Sequence, residues 1–362
     1  MSLCIVMLIL FMVPAAGHAD NAVVVTDAAN PQHTGVYDTA ALVSDATLGW
    51  RFSADTTTTG APRVVDDVVY ASTASGVLHA LTIDGGNELW RFDAGAKLYQ
   101  PPAFRDGVGY LGCSNGAVYA IDAASGDQIW RFDTEGGVCS PPALSGNTAY
   151  ACSHDKNLYL LDTNTGKELD RIQENFDLCC CPTVVGDVVY YVDWGANLYA
   201  LDLTDDSKAL IFSTNKKSKW FSSPPIDNGI AYFVDYDSVL YAIDIDKRHA
   251  IWEFKADGRI SRAPAVAGGM AFFTTTDSHL YAVDTNTGSM RWSLNREGLV
   301  YNRPAVAETM VYFGTGDNLL MALDIEALEI VWQYEADAPV GTPAVHNGTV
   351  IFCSGNQVYR LE

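Results

Sequence analysis

Cysteine is the residue whose type and spacing most strongly suggest chemistry in this sequence. The chain has eight cysteines, and six of them are grouped near its middle: Cys113, Cys139, Cys152, Cys179, Cys180 and Cys181. Three interpretations stay open for this group. They are structural disulfides or buried apolar thiols, a thiolate metal site, and a vicinal disulfide within 179–181. The Cys-x-x-Cys spacing that is typical of structural zinc is absent, so we predict a disulfide or thiol cluster and no metal site.

Aromatic and basic side chains form a second candidate site, which we predict on one face of the molecule. Its members are Trp194, Trp220, Phe221, Arg262, Asn302 and Arg303. The aromatic residues either receive a segment of a partner or a sugar, or repack two irregular repeats locally. The arginines either bind an anion, because guanidinium matches a carboxylate, or pair with nearby aspartates.

No catalytic constellation is recognisable. The seven histidines are scattered along the chain, so we assign no Ser-His-Asp or Cys-His arrangement and predict no catalytic residue. Five aspartates are expected near the ends of strands: Asp155, Asp193, Asp237, Asp277 and Asp317. They are either turn residues or a ring of carboxylates that holds calcium weakly.

A repeat of about forty residues determines where all these side chains lie. Trp-x-Phe, intact or altered, recurs at Trp50, Trp90, Trp130, Trp252, Trp292 and Trp332. Degenerate copies stand at Asp170 and Leu210. An aspartate recurs in register with this column, at Asp122, Asp162, Asp202, Asp244, Asp284 and Asp324. A proline column from Pro62 to Pro343 agrees with both, which gives eight copies.

Each copy is predicted to form four short strands. In the second copy they are 103–105, 108–111, 117–121 and 128–132, separated by turn residues. Four-stranded units at this period are typical of propeller blades, and the tryptophan is the expected wedge between blades. The sequence therefore predicts an all-β, eight-bladed β-propeller of four-stranded antiparallel blades.

The two ends of the chain predict how the ring closes. The last copy ends at Glu362, before its fourth strand, whereas Trp50-Arg51-Phe52 precedes the first copy. We therefore expect the N-terminal strand to complete the last blade, which leaves no free sheet edge at the junction.

Charge and the N-terminus limit the classes of function. With 22 basic and 44 acidic residues the formal charge is −22, which excludes a nucleic-acid binder of the usual kind. Residues 3–13 are apolar and Gly17-His18-Ala19 follows, as in a secretory signal peptide cleaved after about Ala19. We expect a signal peptide (1–19), an extension (20–45) and the propeller (46–362). No apolar run is long enough to span a membrane. With the signal peptide this predicts a periplasmic or extracellular protein, which we expect to be monomeric.

The same columns carry a family resemblance. The stretches 119–130 and 281–292 resemble the tryptophan-docking repeat of the pyrroloquinoline-quinone (PQQ) propeller superfamily, and 30–35 resembles the lead-in of its exported members. The resemblance covers about 30–362. Eight copies account for nearly all of this length, and the only insertion adds two residues near 216–219, so the architecture is most similar to BamB-like exported propellers.

Two functions follow from the resemblance. The first is a non-catalytic scaffold that binds an envelope or exported protein, as in outer-membrane protein assembly, with no cofactor. The second is a PQQ-dependent alcohol or sugar dehydrogenase, which requires PQQ and calcium. A vicinal disulfide within 179–181 favours the second function, because some quinone dehydrogenases carry one over the cofactor. The compact repeat favours the first, and a fold alone does not decide between them.

Overall fold

Eight β-sheets form the molecule. The computed structural model describes residues 35–178, 180–214, 223–260, 262–295 and 302–362. Within these ranges the chain forms 33 strands and turns, and no helix. Seven sheets have four strands and one has five. The prediction of an all-β, eight-bladed propeller is confirmed.

The first four blades follow the two N-terminal strands β1 (Val36–Tyr37) and β2 (Leu48–Ser53). Blade 1 consists of β3 (Thr58–Val65), β4 (Val68–Thr73), β5 (Val77–Thr82) and β6 (Glu88–Asp93). Blade 2 consists of β7 (Ala103–Arg105), β8 (Val108–Gly112), β9 (Ala117–Asp122) and β10 (Gln128–Asp133). Blade 3 consists of β11 (Ala143–Ser145), β12 (Thr148–Cys152), β13 (Asn157–Asp162) and β14 (Glu168–Gln173). Blade 4 consists of β15 (Thr183–Val185), β16 (Val188–Val192), β17 (Asn197–Asp202) and β18 (Lys208–Ser213).

The second four blades have the same organisation. Blade 5 consists of β19 (Ile226–Asp227), β20 (Ile230–Val234), β21 (Val239–Asp244) and β22 (His249–Lys255). Blade 6 consists of β23 (Ala265–Ala267), β24 (Met270–Thr274), β25 (His279–Asp284) and β26 (Met290–Asn295). Blade 7 consists of β27 (Ala305–Ala307), β28 (Met310–Gly314), β29 (Leu319–Asp324) and β30 (Glu329–Glu335). Blade 8 contains β31 (Ala344–His346), β32 (Thr349–Ser354) and β33 (Gln357–Leu361).

The docking tryptophan joins a blade to the next in most copies. Trp130 in blade 2 donates its Nε1–H to the carbonyl of Thr163 in blade 3 (2.8 Å), and the Tyr110 hydroxyl donates to the same carbonyl (3.4 Å). The indole covers Gly166, where an added Cβ would lie 2.6 Å from the ring. The same indole-to-carbonyl bond is made by Trp50, Trp90, Trp252 and Trp332. The predicted role of these tryptophans as wedges between blades agrees with these contacts.

The two degenerate copies correct one detail of the sequence interpretation. Asp170 is exposed and accepts a bond from the Arg171 amide, so it does not fill the docking position. In blade 4 the residue that is buried is Ile211 (6% exposed) and not Leu210 (50% exposed). The β-bulge of this strand lies at Ile211, two positions later than in its neighbour, so Leu210 pairs with Tyr199 and not with Ala200. A register shift of one residue turns a side chain to the opposite face.

The N-terminal segment closes the ring, as predicted. Strand β2 pairs antiparallel with β33, and Thr47 and Glu362 exchange backbone hydrogen bonds of 2.8 and 3.0 Å. The Leu42 carbonyl accepts bonds from the Trp332 indole and the Tyr312 hydroxyl, each 3.0 Å long. The segment therefore supplies the fourth strand of blade 8 and also the carbonyl to which the Trp332 indole of blade 7 bonds.

Strand β1 lies inside the central channel, which the sequence did not predict. The first strands of the blades line this channel, because they contact one another across blades. Strand β1 pairs parallel with β27, the innermost strand of blade 7. It borders an open cavity of about 960 Å³, together with the ends of the first strands of blades 4 to 6. Part of the predicted N-terminal extension is therefore a fifth strand of blade 7.

Substitution of two glycines tests the wedge. Gly166→Ala should lower the free energy of unfolding by about 2–4 kcal/mol, because the methyl group meets the Trp130 ring and the residue has a positive φ of 69°. Gly146→Ala is the matched control, since Gly146 has a φ of 49° and nothing within 4 Å of its added Cβ. It should cost only about 1 kcal/mol.

Chemical denaturation of the two variants, alone and with Trp130→Ala, measures the difference. Without the indole the two glycine substitutions should have nearly equal effects. Equal effects in the presence of Trp130 would contradict the packing that we describe.

Candidate functional site

One face of the ring is built by two kinds of connection. The loops between blades bond to the turn that joins the second and third strands of the preceding blade. Val138 bonds to Cys113, Leu178 to Ser153 and Val340 to Thr315, with backbone distances of 3.0–3.1 Å. We call this surface the loop face. In these blades the loops between blades and the turns between the second and third strands therefore share one face.

The predicted members of the site occupy different depths of this face. Trp194 is half-buried and Arg262 is exposed, whereas the Asn302 amide donates to the Val340 carbonyl. Trp220, Phe221 and Cys179 lie outside the described residues. Arg303 is buried and donates to the Pro264 carbonyl (3.0 Å). The binding roles that we assigned to these residues remain predictions.

Arg303 has a structural counterpart that the sequence interpretation missed. Buried Arg63 in blade 1 donates to the Pro102 carbonyl just before blade 2 at 2.6 Å. Arg303, just before blade 7, donates in the opposite direction along the chain, to the Pro264 carbonyl just before blade 6. Each guanidinium thus joins two neighbouring blades near the channel. The signal in the sequence was an arginine next to a proline of the repeat.

An aromatic row crosses the loop face on blades 3, 4 and 5. It consists of His154, Trp194 and Tyr236, which occupy the same turn of successive copies. The His154 and Trp194 rings are 5.0 Å apart in an edge-to-face arrangement. Tyr236 is 52% exposed, and the Arg259 guanidinium lies 4.5 Å from its ring centre. The sequence interpretation identified only Trp194, although the column of the repeat would also have identified the other two.

The row includes a thiol–imidazole contact. Cys139 Sγ lies 3.2 Å from His154 Nε2. The hydrogen bond with Cys139 raises the pKa of His154 above its usual value, against the opposing effect of burial. An imidazolium stabilises a neighbouring thiolate, so Cys139, which is partly exposed, has the environment of a reactive thiol.

A buried polar network holds blades 3 and 4 together on the same seam. Glu174 is buried and accepts bonds from the Tyr191 hydroxyl (2.7 Å) and from Lys208 Nζ (2.8 Å). Burial and the bond to Glu174 raise the pKa of Tyr191. These contacts lie on the seam whose docking tryptophan is replaced by Asp170, near the turn between the second and third strands of blade 3.

The described cysteines have different surroundings. The six cysteines within the described ranges are in the thiol form. Cys113 donates to the Ala96 carbonyl (3.1 Å). Cys180 bonds to Val192 (3.2 Å), whereas Cys181 approaches Gln100 (3.5 Å), so these two neighbours have different partners in these contacts.

Two interpretations were open for the five aspartates, turn residues or a ring of carboxylates. The contacts that are described support turn residues. Asp155 accepts bonds from the Asn157 amide and the Tyr159 hydroxyl, and Asp193 accepts bonds from the Gly195 and Asn197 amides. Within the described ranges, no three His, Cys, Asp or Glu side chains are grouped as cation ligands. No helix in the same part of the chain is long and apolar enough to cross a membrane.

Comparison with protein families gives a match over nearly the whole chain. The matching model is described as outer membrane protein assembly factor BamB, and it matches residues 16–97, 33–175, 74–205, 177–261 and 250–362. No curated protein matches the chain significantly.

Several solved structures share the fold at low sequence identity. BamB from Moraxella catarrhalis is 16% identical, with a TM-score of 0.70, over 88% of this chain and 98% of that chain. Quinohemoprotein alcohol dehydrogenase from Comamonas testosteroni is 13% identical, with a TM-score of 0.77, over 93% and 80%. The computationally designed Ika8 protein is 14% identical, with a TM-score of 0.74, over 88% and 98%. At these identities the likeness concerns the fold alone.

Alkylation of Cys139 tests the thiol–imidazole contact. At pH 7 His154→Gln should slow the alkylation of Cys139 by iodoacetamide roughly fivefold, because the thiolate loses its cationic partner. The pKa of His154 is raised, so the effect should be full below the usual histidine pKa and should fade as the pH rises through the raised value.

Mass spectrometry of the native protein measures this rate. His346→Gln, in blade 8, is the control and should leave it unchanged. Cys353 should stay unlabelled, because burial raises its pKa to about 12. An unchanged rate in His154→Gln would argue against the contact.

Proposed function

This chain belongs to the family of the outer membrane protein assembly factor BamB, and we propose that it is a non-catalytic propeller that binds a protein partner in outer-membrane protein assembly. We further propose that the chain is exported, with residues 1–19 as its signal peptide, and that it acts as a monomeric ring. The family and the compact repeat support this role. The loop face supplies the surface on which the partner docks.

The aromatic row is the observation that carries this proposal. Trp and Tyr contribute much of the binding energy at protein interfaces, because large rigid rings lose little conformational entropy when they bind. Trp194 and Tyr236 stand on turns that are anchored to strands and loops, as by the bond from the Trp194 amide to the Asp177 carbonyl (2.9 Å). A preorganised surface of this kind reduces the entropic cost of association.

Cationic groups beside the rings define the chemistry of the partner. Arg259 covers Tyr236, and Lys97 lies 4.4 Å from the centre of the Tyr99 ring on the same face. Exposed Arg262 lies in the same loop before blade 6 as Arg259. We therefore propose that the partner presents apolar or aromatic side chains next to carboxylates. This combination also explains how a chain with a formal charge of −22 offers a local site for an acidic segment.

Affinity capture from the native envelope tests the docking surface. The double variant Trp194→Ala/Tyr236→Ala should recover at least about tenfold less partner than the parent chain, since two interface aromatics together contribute 2 kcal/mol or more. Quantitative mass spectrometry of the captured proteins measures the loss.

The control is Leu169→Ala/Ile251→Ala. These two side chains are also exposed, but they lie on the outer strands of blades 3 and 5. Capture should be unchanged by the control. The proposal fails if the two double variants recover the same amount of partner, or if the parent chain recovers none.

We also propose that the chain needs no quinone. PQQ with Ca²⁺ should leave the melting temperature within 1 °C of its value in Ca²⁺ alone, because the described side chains do not form a ligand set for this pair. Thermal unfolding measures this difference. A shift of several degrees, together with dye-linked oxidation of an alcohol or sugar, would instead support the dehydrogenase function.

A further inference from the structure

The seam between blades 3 and 4 has lost the wedge that joins other neighbouring blades. Asp170 stands where a docking tryptophan is expected, and it is exposed. The glycine that the indole covers is also replaced, because the position equivalent to Gly166 in blade 4 is Asp206. This seam therefore needs another source of cohesion, and the network around Glu174 supplies only part of it.

Two buried thiols meet across this seam. Cys152 is the last residue of β12 in blade 3, and Cys180 lies in the loop that leads into β15 of blade 4. Their sulfur atoms are 3.8 Å apart, and each residue is only 1% exposed.

The position of Cys180 is set by the backbone of blade 4. Its sulfur accepts a bond from the Val192 amide and donates to the Val192 carbonyl, both at 3.2 Å. Val192 ends β16 just as Cys152 ends β12, so the thiol lies between equivalent strand ends of two neighbouring blades. Rotation about the two Cα–Cβ bonds is the movement by which sulfurs in van der Waals contact approach bonding distance.

We propose that Cys152 and Cys180 form a disulfide that staples blade 3 to blade 4 under oxidising conditions. Each thiol loses its proton, one S–S bond forms, and two electrons pass to a disulfide oxidant such as oxidised glutathione, which is released as two thiols. The bond closes a loop between residues 28 apart. A cross-link of this kind restricts the unfolded chain. In the folded state it joins two blades that have no docking tryptophan between them.

The proposed disulfide would also fix part of the loop face in position. Cys180 follows Leu178, whose amide bonds to the turn that carries His154. The Ser140 hydroxyl, next to Cys139, donates to the Cys180 carbonyl (2.9 Å). The disulfide would therefore hold the connection on which the thiol–imidazole contact and Trp194 depend. The inference concerns the seam itself and does not require the proposed partner.

Oxidative refolding of the full chain tests the staple. The protein is unfolded, reduced, refolded in a mixture of reduced and oxidised glutathione, blocked with N-ethylmaleimide, and digested without reduction. We expect a linked pair of peptides that contain Cys152 and Cys180. The melting temperature should be a few degrees higher than that of the same protein refolded in dithiothreitol.

Single substitutions assign the link to one sulfur of the 179–181 run. The link and the thermal shift should survive Cys179→Ser, Cys181→Ser and Cys353→Ser, and both should disappear in Cys180→Ser. Because Cys180→Ser changes a buried site, its melting temperature is compared with and without dithiothreitol and should be equal in the two. A link that persists in Cys180→Ser, or maleimide on both Cys152 and Cys180 after oxidative refolding, overturns the proposal.

Discussion

The contact between a docking indole and the turn of the next blade is the interaction on which this molecule depends. A four-stranded sheet cannot bury both of its faces alone, so each blade is stable only against its neighbours. Trp130 illustrates how one side chain meets this need, since its ring covers Gly166 and its N–H satisfies the Thr163 carbonyl. The same requirement explains why Leu42 reaches blade 7. In a closed ring every blade has a neighbour on each side, so the docking tryptophan of blade 7 also needs an acceptor carbonyl.

The seam between blades 3 and 4 lacks the indole contact and has polar and thiol contacts instead. A buried carboxylate and two thiols in contact lie on the seam that lacks the wedge, and a thiol–imidazole pair lies beside it on the loop face. Buried polar groups and charges are costly unless they are paired, so such a seam tolerates little change in the positions of its groups. The aromatic row begins at this same seam, which links the irregular part of the repeat to the surface that we propose for docking.

The acidity of the chain has a structural explanation in its turns. Asp122 and Asp162 accept hydrogen bonds from the amides two and three residues later. These amide bonds lower the pKa of Asp122, and a bond from the Thr165 hydroxyl together with the amide bonds lowers the pKa of Asp162. Their stabilising effect is therefore present at neutral pH and is lost as the pH falls through the lowered values. Much of the charge of −22 thus belongs to the repeat and indicates no particular ligand.

The sequence by itself determined the blade number, the strands of the second copy and the closure by β2, because these depend on a period that is visible along one chain. It also located Trp194. It did not predict β1 in the channel, the exchange of Leu210 for Ile211, or the contacts of Cys139 with His154 and of Cys152 with Cys180. Those contacts join residues 15 and 28 apart in separate loops and strands. Only the tertiary structure decided them, since the packing angle and bulge position of each blade determine which side chains meet across a seam.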